Sequence, residues 1–395
     1  MKNKLGIIIF IISFFSLDAT IGYLKKKDIV TDNKNDIEEI RAVYISYLEY
    51  LDNFCGNSKS INEKKIDKMI DNLQESKFNV ILLHVSPFSD VIYPSKLFPY
   101  SYTLTGQEGK NPGIDYLSYF IQRAHLKKIQ VYAWINPYRI SFQQNKDNIS
   151  QGNPAYWLLN TSSVCIDANG IYYNPASEIV KNLILRQIEE ILDNYNVDGI
   201  HLDDYFYLQK KVDELEYSEY LKNNGKMSLE DFRLYHTNDL IKRIYKTIKS
   251  KKNIPFSIAP DGNINNNYLY HYADVKTWLK NSGYVDIIMP QIYYGFNNQY
   301  SPFENVLNSW MALRENENIK IVPVLAFYKS GLEDSGAGRG ILEWQNNNNL
   351  IARQVTMLRE KKLSGYALFR YDFLYDNSKM NNISVNEMAN LRKIN

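Results

Sequence analysis

Two adjacent carboxylates, Asp203 and Asp204, close the otherwise apolar stretch Val197-Asp198-Gly199-Ile200-His201-Leu202, and three aromatics, Tyr205, Phe206 and Tyr207, follow them. Such a pair suits glycosidic chemistry. One carboxyl can hand a proton to a departing oxygen while the other, ionised, faces or attacks the positive charge that develops at carbon. A strand covered on both faces is apolar along most of its length, so charge at its C-terminal end marks the rim of a parallel sheet where ligands bind. Alternation along the strand sends Ile200 and Leu202 towards a helix layer and His201 and Asp203 to the opposite face, with Asp204 opening the next loop. The plainer alternative is an acidic cap on that loop. Asp203 is the expected stabiliser or nucleophile. Asp261, in Ala259-Pro260-Asp261-Gly262, shares the inward parity of Ser257 and Ala259 and is a candidate for the acid, although Pro-Asp-Gly is also a turn signal. Glu49, Asp90, Glu333 and Asp334 are the other acids on loops expected at the same end.

Other strand-like segments also end in polar and aromatic groups: Ser46 and Glu49, Ser86 and Asp90, Asn136 and Arg139, Gln291 with Tyr293 and Tyr294, Tyr328, and Arg370 with Tyr371. A buried polar layer costs free energy unless it finds partners, and a ligand rich in hydroxyls would supply them. The expected substrate contacts are Asp90, Trp134, Asn136, Tyr138, Arg139, His201, Tyr205, Gln291, Tyr293 and Arg370, with the aromatics covering sugar faces. Each aromatic has ordinary packing between loops as its alternative.

Metal and nucleophile chemistries find less support. The 5 histidines are dispersed, with no His-x-x-x-His and no paired Cys, so no zinc site and no cofactor are expected. Asp203, Asp204 and His201 could still hold a divalent cation in the manner of a deacetylase. There is no Gly-x-Ser-x-Gly elbow. The net charge of +2, spread rather than striped, points away from a nucleic-acid partner.

The elements that must position these groups alternate. Eight strand candidates are Arg41 to Tyr47, Phe78 to Pro87, Ile129 to Pro137, Asp198 to Asp203, Pro255 to Pro260, Val285 to Tyr293, Ile319 to Phe327 and Gly365 to Tyr371. Amphipathic stretches between them, such as Ser177 to Tyr195, Leu229 to Lys251 and Tyr268 to Ser282, read as helices. This pattern predicts an α/β fold, a (β/α)8 TIM barrel forming a single large domain over 39–395, with an open doubly wound sheet as the alternative. The long connections Phe88 to Pro112, Tyr138 to Ala176 and Leu208 to Ser228 all follow strands, as site-building loops of barrel enzymes do. Lys2 and Lys4 precede an apolar run from Leu5 to Leu17, which reads as a signal peptide or signal anchor over 1–22, joined by a polar linker over 23–38. The expected location is therefore secreted or envelope-associated, with a membrane tether through this run if it is not cleaved. Cys55 and Cys165 fall in loops expected at one end of the barrel, where they could pair or remain free thiols.

Several segments, taken together and in this order, resemble the glycosyl hydrolase-like ten family, a group of sugar-cleaving barrels. They are Arg41-Ala42-Val43-Tyr44-Ile45-Ser46, Pro87-Phe88-Ser89-Asp90-Val91-Ile92-Tyr93-Pro94-Ser95, Ala133-Trp134-Ile135-Asn136-Pro137-Tyr138-Arg139, Asp198 to Tyr205, and Asp286-Ile287-Ile288-Met289-Pro290-Gln291-Ile292-Tyr293. The resemblance implies a barrel, export to a bacterial envelope, and hydrolysis of a glycan, with peptidoglycan strands as the substrate. It also marks two departures. Ala259-Pro260-Asp261-Gly262 stands where the family commonly has Ser-Pro-Phe-Gly, and Ser86 stands at or beside a position where many members carry Arg. The rivals are a non-catalytic carbohydrate-binding barrel and a metal-dependent polysaccharide deacetylase.

Overall fold

The computed structural model describes residues 39–142, 149–204, 206–207 and 211–395. The N-terminal apolar run, the linker and Tyr205 lie outside the described residues. Glu39–Asn395 form one body, built on eight parallel strands: β1 Ile40–Ile45, β2 Val80–Ser86, β3 Gln130–Ile135, β4 Gly199–Leu202, β5 Phe256–Ile258, β6 Ile287–Ile288, β7 in two halves, Lys320–Ile321 and Val324–Leu325, and β8 Gly365–Leu368. Neighbours in space are neighbours in sequence from β1 to β6, and β8 pairs with β1. Pro323, which has no N–H to give, splits β7. Its flanks close the ring, since Val322 and Val324 donate to Ile288 and Pro290 of the sixth strand segment while Ala367 donates to the Pro323 carbonyl. The sheet is thus a closed barrel in the order expected from the sequence.

Polar side chains at the N-terminal ends of the strands fix their register. Asn79 Oδ1 accepts the Arg41 N–H at 2.8 Å. Asp198 Oδ2 takes the Val131 N–H and His125 Nε2, both at 2.8 Å. Asp286 Oδ2 takes the Phe256 N–H at 2.7 Å and pairs with Lys249 at 2.8 Å. Inside the ring, Gly199 leaves space for Tyr132, whose ring would stand 2.7 Å from any Cβ added there. Outside, amphipathic helices such as Lys59–Glu75, Glu178–Asn194 and Leu229–Lys251 cover the barrel, each started by a Ser whose side chain caps a backbone N–H of the first turn.

Three stretches differ from their expected form. The connection after β3 carries a three-stranded antiparallel sheet, Arg139–Ser141, Val164–Asp167 and Gly170–Tyr173, rather than plain loop. The connection after β4 contains the helix Glu214–Lys222. The helix expected from Tyr268 to Ser282 is broken into a π turn, Asn267–His271, and a helix, Val275–Lys280, because Tyr272 adopts φ +48° and Asp274 caps a new start by accepting the Thr277 N–H. Cys55 and Cys165 are both free thiols. Among the described residues, no helix is long and apolar enough to cross a membrane.

Candidate active site

The C-terminal ends of the strands surround a cavity of about 270 Å³. Asp203 and Asp204, just past β4, are the carboxylates on its wall among the described residues. Asp203 is buried, and its Oδ2 accepts the indole N–H of Trp134 at 3.2 Å. Trp134 is in turn wedged between the edge-on ring of Tyr44, with centroids 5.2 Å apart, and the stacked ring of His84. Asp204 is half-buried, and burial raises its carboxyl above the ordinary range, assisted by the negative charge of Asp261 and opposed by the charge of His271 and a hydrogen bond from Gln291. Two neighbouring carboxyls therefore meet different surroundings.

Aromatics wall the cavity on two sides. From β8 comes Phe369, whose ring lies 6.1 Å from both Tyr293 and Tyr328. Across from the strand ends of β1 and β3, Tyr47 meets Phe142 at 6.1 Å, and the Arg139 guanidinium lies 4.3 Å over the Phe142 ring. Flat apolar faces with a few polar groups between them are what a pyranose ring needs.

Residues 39–334 match the Glycosyl hydrolase-like 10 family. The chain belongs to that family. Over 321 residues it is 30% identical to the glycosyl hydrolase YngK of Bacillus subtilis, covering 75% of this chain but spanning 62% of that relative's length. It is 28% identical to the glycosyl hydrolase DigH of Escherichia coli, covering 88% of this chain and 82% of the relative. Among solved structures it resembles the PgaB (BpsB) glycoside hydrolase domain from Bordetella bronchiseptica, with a TM-score of 0.57 at 12% identity over 90% of this chain and 98% of that one. A β-N-acetylhexosaminidase from Bacteroides fragilis gives 0.52 at 10% identity, over 90% and 65%. These two likenesses are of fold. Family membership places the chain among the glycoside hydrolases.

For this Glycosyl hydrolase-like 10 member, the residues singled out from sequence divide into two groups. Trp134, Asn136, Arg139, Asp203, Asp204, Gln291 and Tyr293 all line the cavity. Asp261 does not. Its carboxylate accepts the Asn263 N–H at 2.7 Å and Asn266 Nδ2 at 3.0 Å, with His271 Nε2 at 3.7 Å. Although burial opposes it, these partners hold Asp261 below its ordinary range, the reverse of what a proton donor needs. His201 is fully buried beneath the cavity, with its nitrogens engaged by Tyr44 Oη at 3.0 Å and Ser257 Oγ at 2.8 Å, and burial drives its pKa down to about 3. It is absent from the cavity wall and, among the described residues, forms no ligand set with the two aspartates, and it is the indole of Trp134 that donates to Asp203. Asp90 is buried away from the cavity, with Oδ1 accepting the Phe88 N–H at 3.1 Å. Tyr138 lies in the hydrophobic core and off the cavity wall. Arg370 is turned to Glu49, to which it is ion-paired, and to Asp372 at 3.3 Å. Six cavity residues escaped the sequence analysis: Tyr44, Tyr47, Leu48, His84, Phe142 and Phe369. Strand parity was the available signal for His84, which is the register partner of Trp134 one strand over.

Proposed function

We propose that this chain is an exported glycosidase that cleaves an oligomeric envelope glycan, with peptidoglycan strands as the substrate. The observation that carries the reading is the Asp203–Asp204 pair on the wall of an aromatic-sided cavity, with Asp204 held towards its protonated form. In this reading Asp204 gives its proton to the glycosidic oxygen as the bond breaks. Asp203, fixed by the Trp134 N–H, supplies the negative charge opposite the oxocarbenium-like centre, to which a water oxygen then bonds while the proton it sheds returns to Asp204. The aromatic walls hold the ring, and Asn136, Arg139 and Gln291 offer hydrogen bonds to its edge. Export is supported by the basic start and the apolar run from Leu5 to Leu17. The choice of polymer rests on the family resemblance.

The test is mass analysis of fragments released from purified peptidoglycan and from a panel of other polysaccharides, by the wild type and by Asp203→Asn. Muropeptide or glycan fragments from the wild type alone are the expected result. Tight binding with no fragments from any polymer would instead mark a carbohydrate-binding barrel.

A further inference from the structure

His84, on β2, is 2% exposed and stands face to face with Trp134, ring centroids 3.6 Å apart and planes within 9°. It lines the cavity, and neither Nδ1 nor Nε2 has a hydrogen-bond partner. His201, the other imidazole inside the barrel, has both nitrogens satisfied by protein groups. Leaving a buried polar group unmet is costly, so an unpaired imidazole on a cavity wall is a group suited to meet a ligand. Burial, the positive charge of Arg139 and the neighbouring His201 all keep this ring uncharged. A neutral imidazole offers one N–H donor and one lone pair. That suits a hydroxyl, which can meet either.

We infer that His84 is a substrate-reading residue whose ring nitrogen, facing the cavity, hydrogen-bonds a hydroxyl of the sugar bound there, with Trp134 fixing the plane of the imidazole. One consequence joins the two aromatics. The indole that aims Asp203 also aims His84, so a sugar docked on His84 is registered against the carboxylate through a single rigid side chain. The inference rests on the glycosidase reading and adds to it a position that reads a hydroxyl of the bound ring.

The experiment compares wild type, His84→Phe and His84→Gln on purified peptidoglycan and the polysaccharide panel, with melting temperatures measured alongside. Phe keeps a flat ring over Trp134 and removes both nitrogens, whereas Gln keeps a donor and an acceptor. The expected result is a 10- to 100-fold loss of kcat/KM in His84→Phe, with an unchanged or higher melting temperature and a pH profile of the same shape. His84→Gln should recover most of the loss. His84→Phe within twofold of wild type, or His84→Gln as impaired as His84→Phe, overturns the inference. A wild type that cleaves another member of the panel overturns the peptidoglycan reading alone, and the same comparison on that polymer still decides His84. A wild type inert on every polymer overturns both.

Discussion

Burial lifts the Asp204 carboxyl, and the proton it retains is what the proposed chemistry lends to the departing oxygen. Activity therefore needs Asp204 protonated, and kcat/KM should fall on the alkaline side as pH rises through its raised pKa. The positive charge of His271 opposes that lift, so His271→Gln should move the alkaline limb to higher pH. A pH–rate profile of both proteins checks the sign; a limb that stays put or moves down would take Asp204 out of the acid role. Asp203→Asn keeps size and much of the hydrogen bonding to Trp134 but removes the charge, and should lower kcat on the order of 100-fold, the scale of losing one preorganised electrostatic group. Its melting temperature should hold or rise, since a buried charge kept for function is commonly a cost to folding. A folded Asp203→Asn protein with near wild-type turnover would remove it from the mechanism.

At the scale of elements, the strand starts do the aligning. Asp198 joins β4 to β3 through the Val131 N–H and to the helix Tyr116–Leu126 through His125. Asp198→Ala would strip a partner from that N–H, and should cost about 1–3 kcal/mol in urea denaturation, with KM little changed because the site lies at the other end of the barrel. All eight strands were legible from sequence, because apolar runs bounded by polar residues and separated by helical periodicity leave few other readings. The antiparallel sheet after β3 was not, since its strands are 3 and 4 residues long, too short for a period of two to stand out. Of the site, Asp203, Asp204 and Trp134 were legible because they end strands whose parity is clear. His84 is hidden because Ser86, at the strand's last position, is the polar group that marks the rim and the register shifts between the two, and Arg370 is hidden because nothing local to Phe369-Arg370-Tyr371 reveals its partner Glu49, more than 300 residues away in sequence. Asp261 shows the same limit: its strand parity pointed inward, but His271 and the Asn263–Asn266 turn claim it.

At the scale of the molecule, the body Glu39–Asn395 carries its own core. Removing residues 1–22 should leave a protein with the melting temperature of the mature form, now confined to the cytoplasm, whereas the full chain should fractionate outside it. Loss of folding on that deletion would make the apolar run part of the core and end the export reading. The body also stores acid-favouring groups, for burial pushes Asp90 and Glu387 each up to about 7. A carboxyl raised in the folded state stabilises fully below its unfolded value, near 4, and that contribution drains away as pH climbs to about 7. Asp90→Asn should therefore be more stable than wild type at pH 7.5, by up to about 4 kcal/mol, with the advantage shrinking towards pH 4.5. An advantage that does not vary with pH would refute the assignment. The Tyr132 ring seated against Gly199 has a last consequence. With Tyr44 and His201 buried beside it, the barrel axis is filled, as such interiors are, so among the described residues nothing runs through the barrel from the cavity. Whatever is cut at Asp203 leaves on the same face of the barrel that receives the uncut chain, so a released fragment and a fresh strand contend for the same subsites, and accumulated product should inhibit competitively.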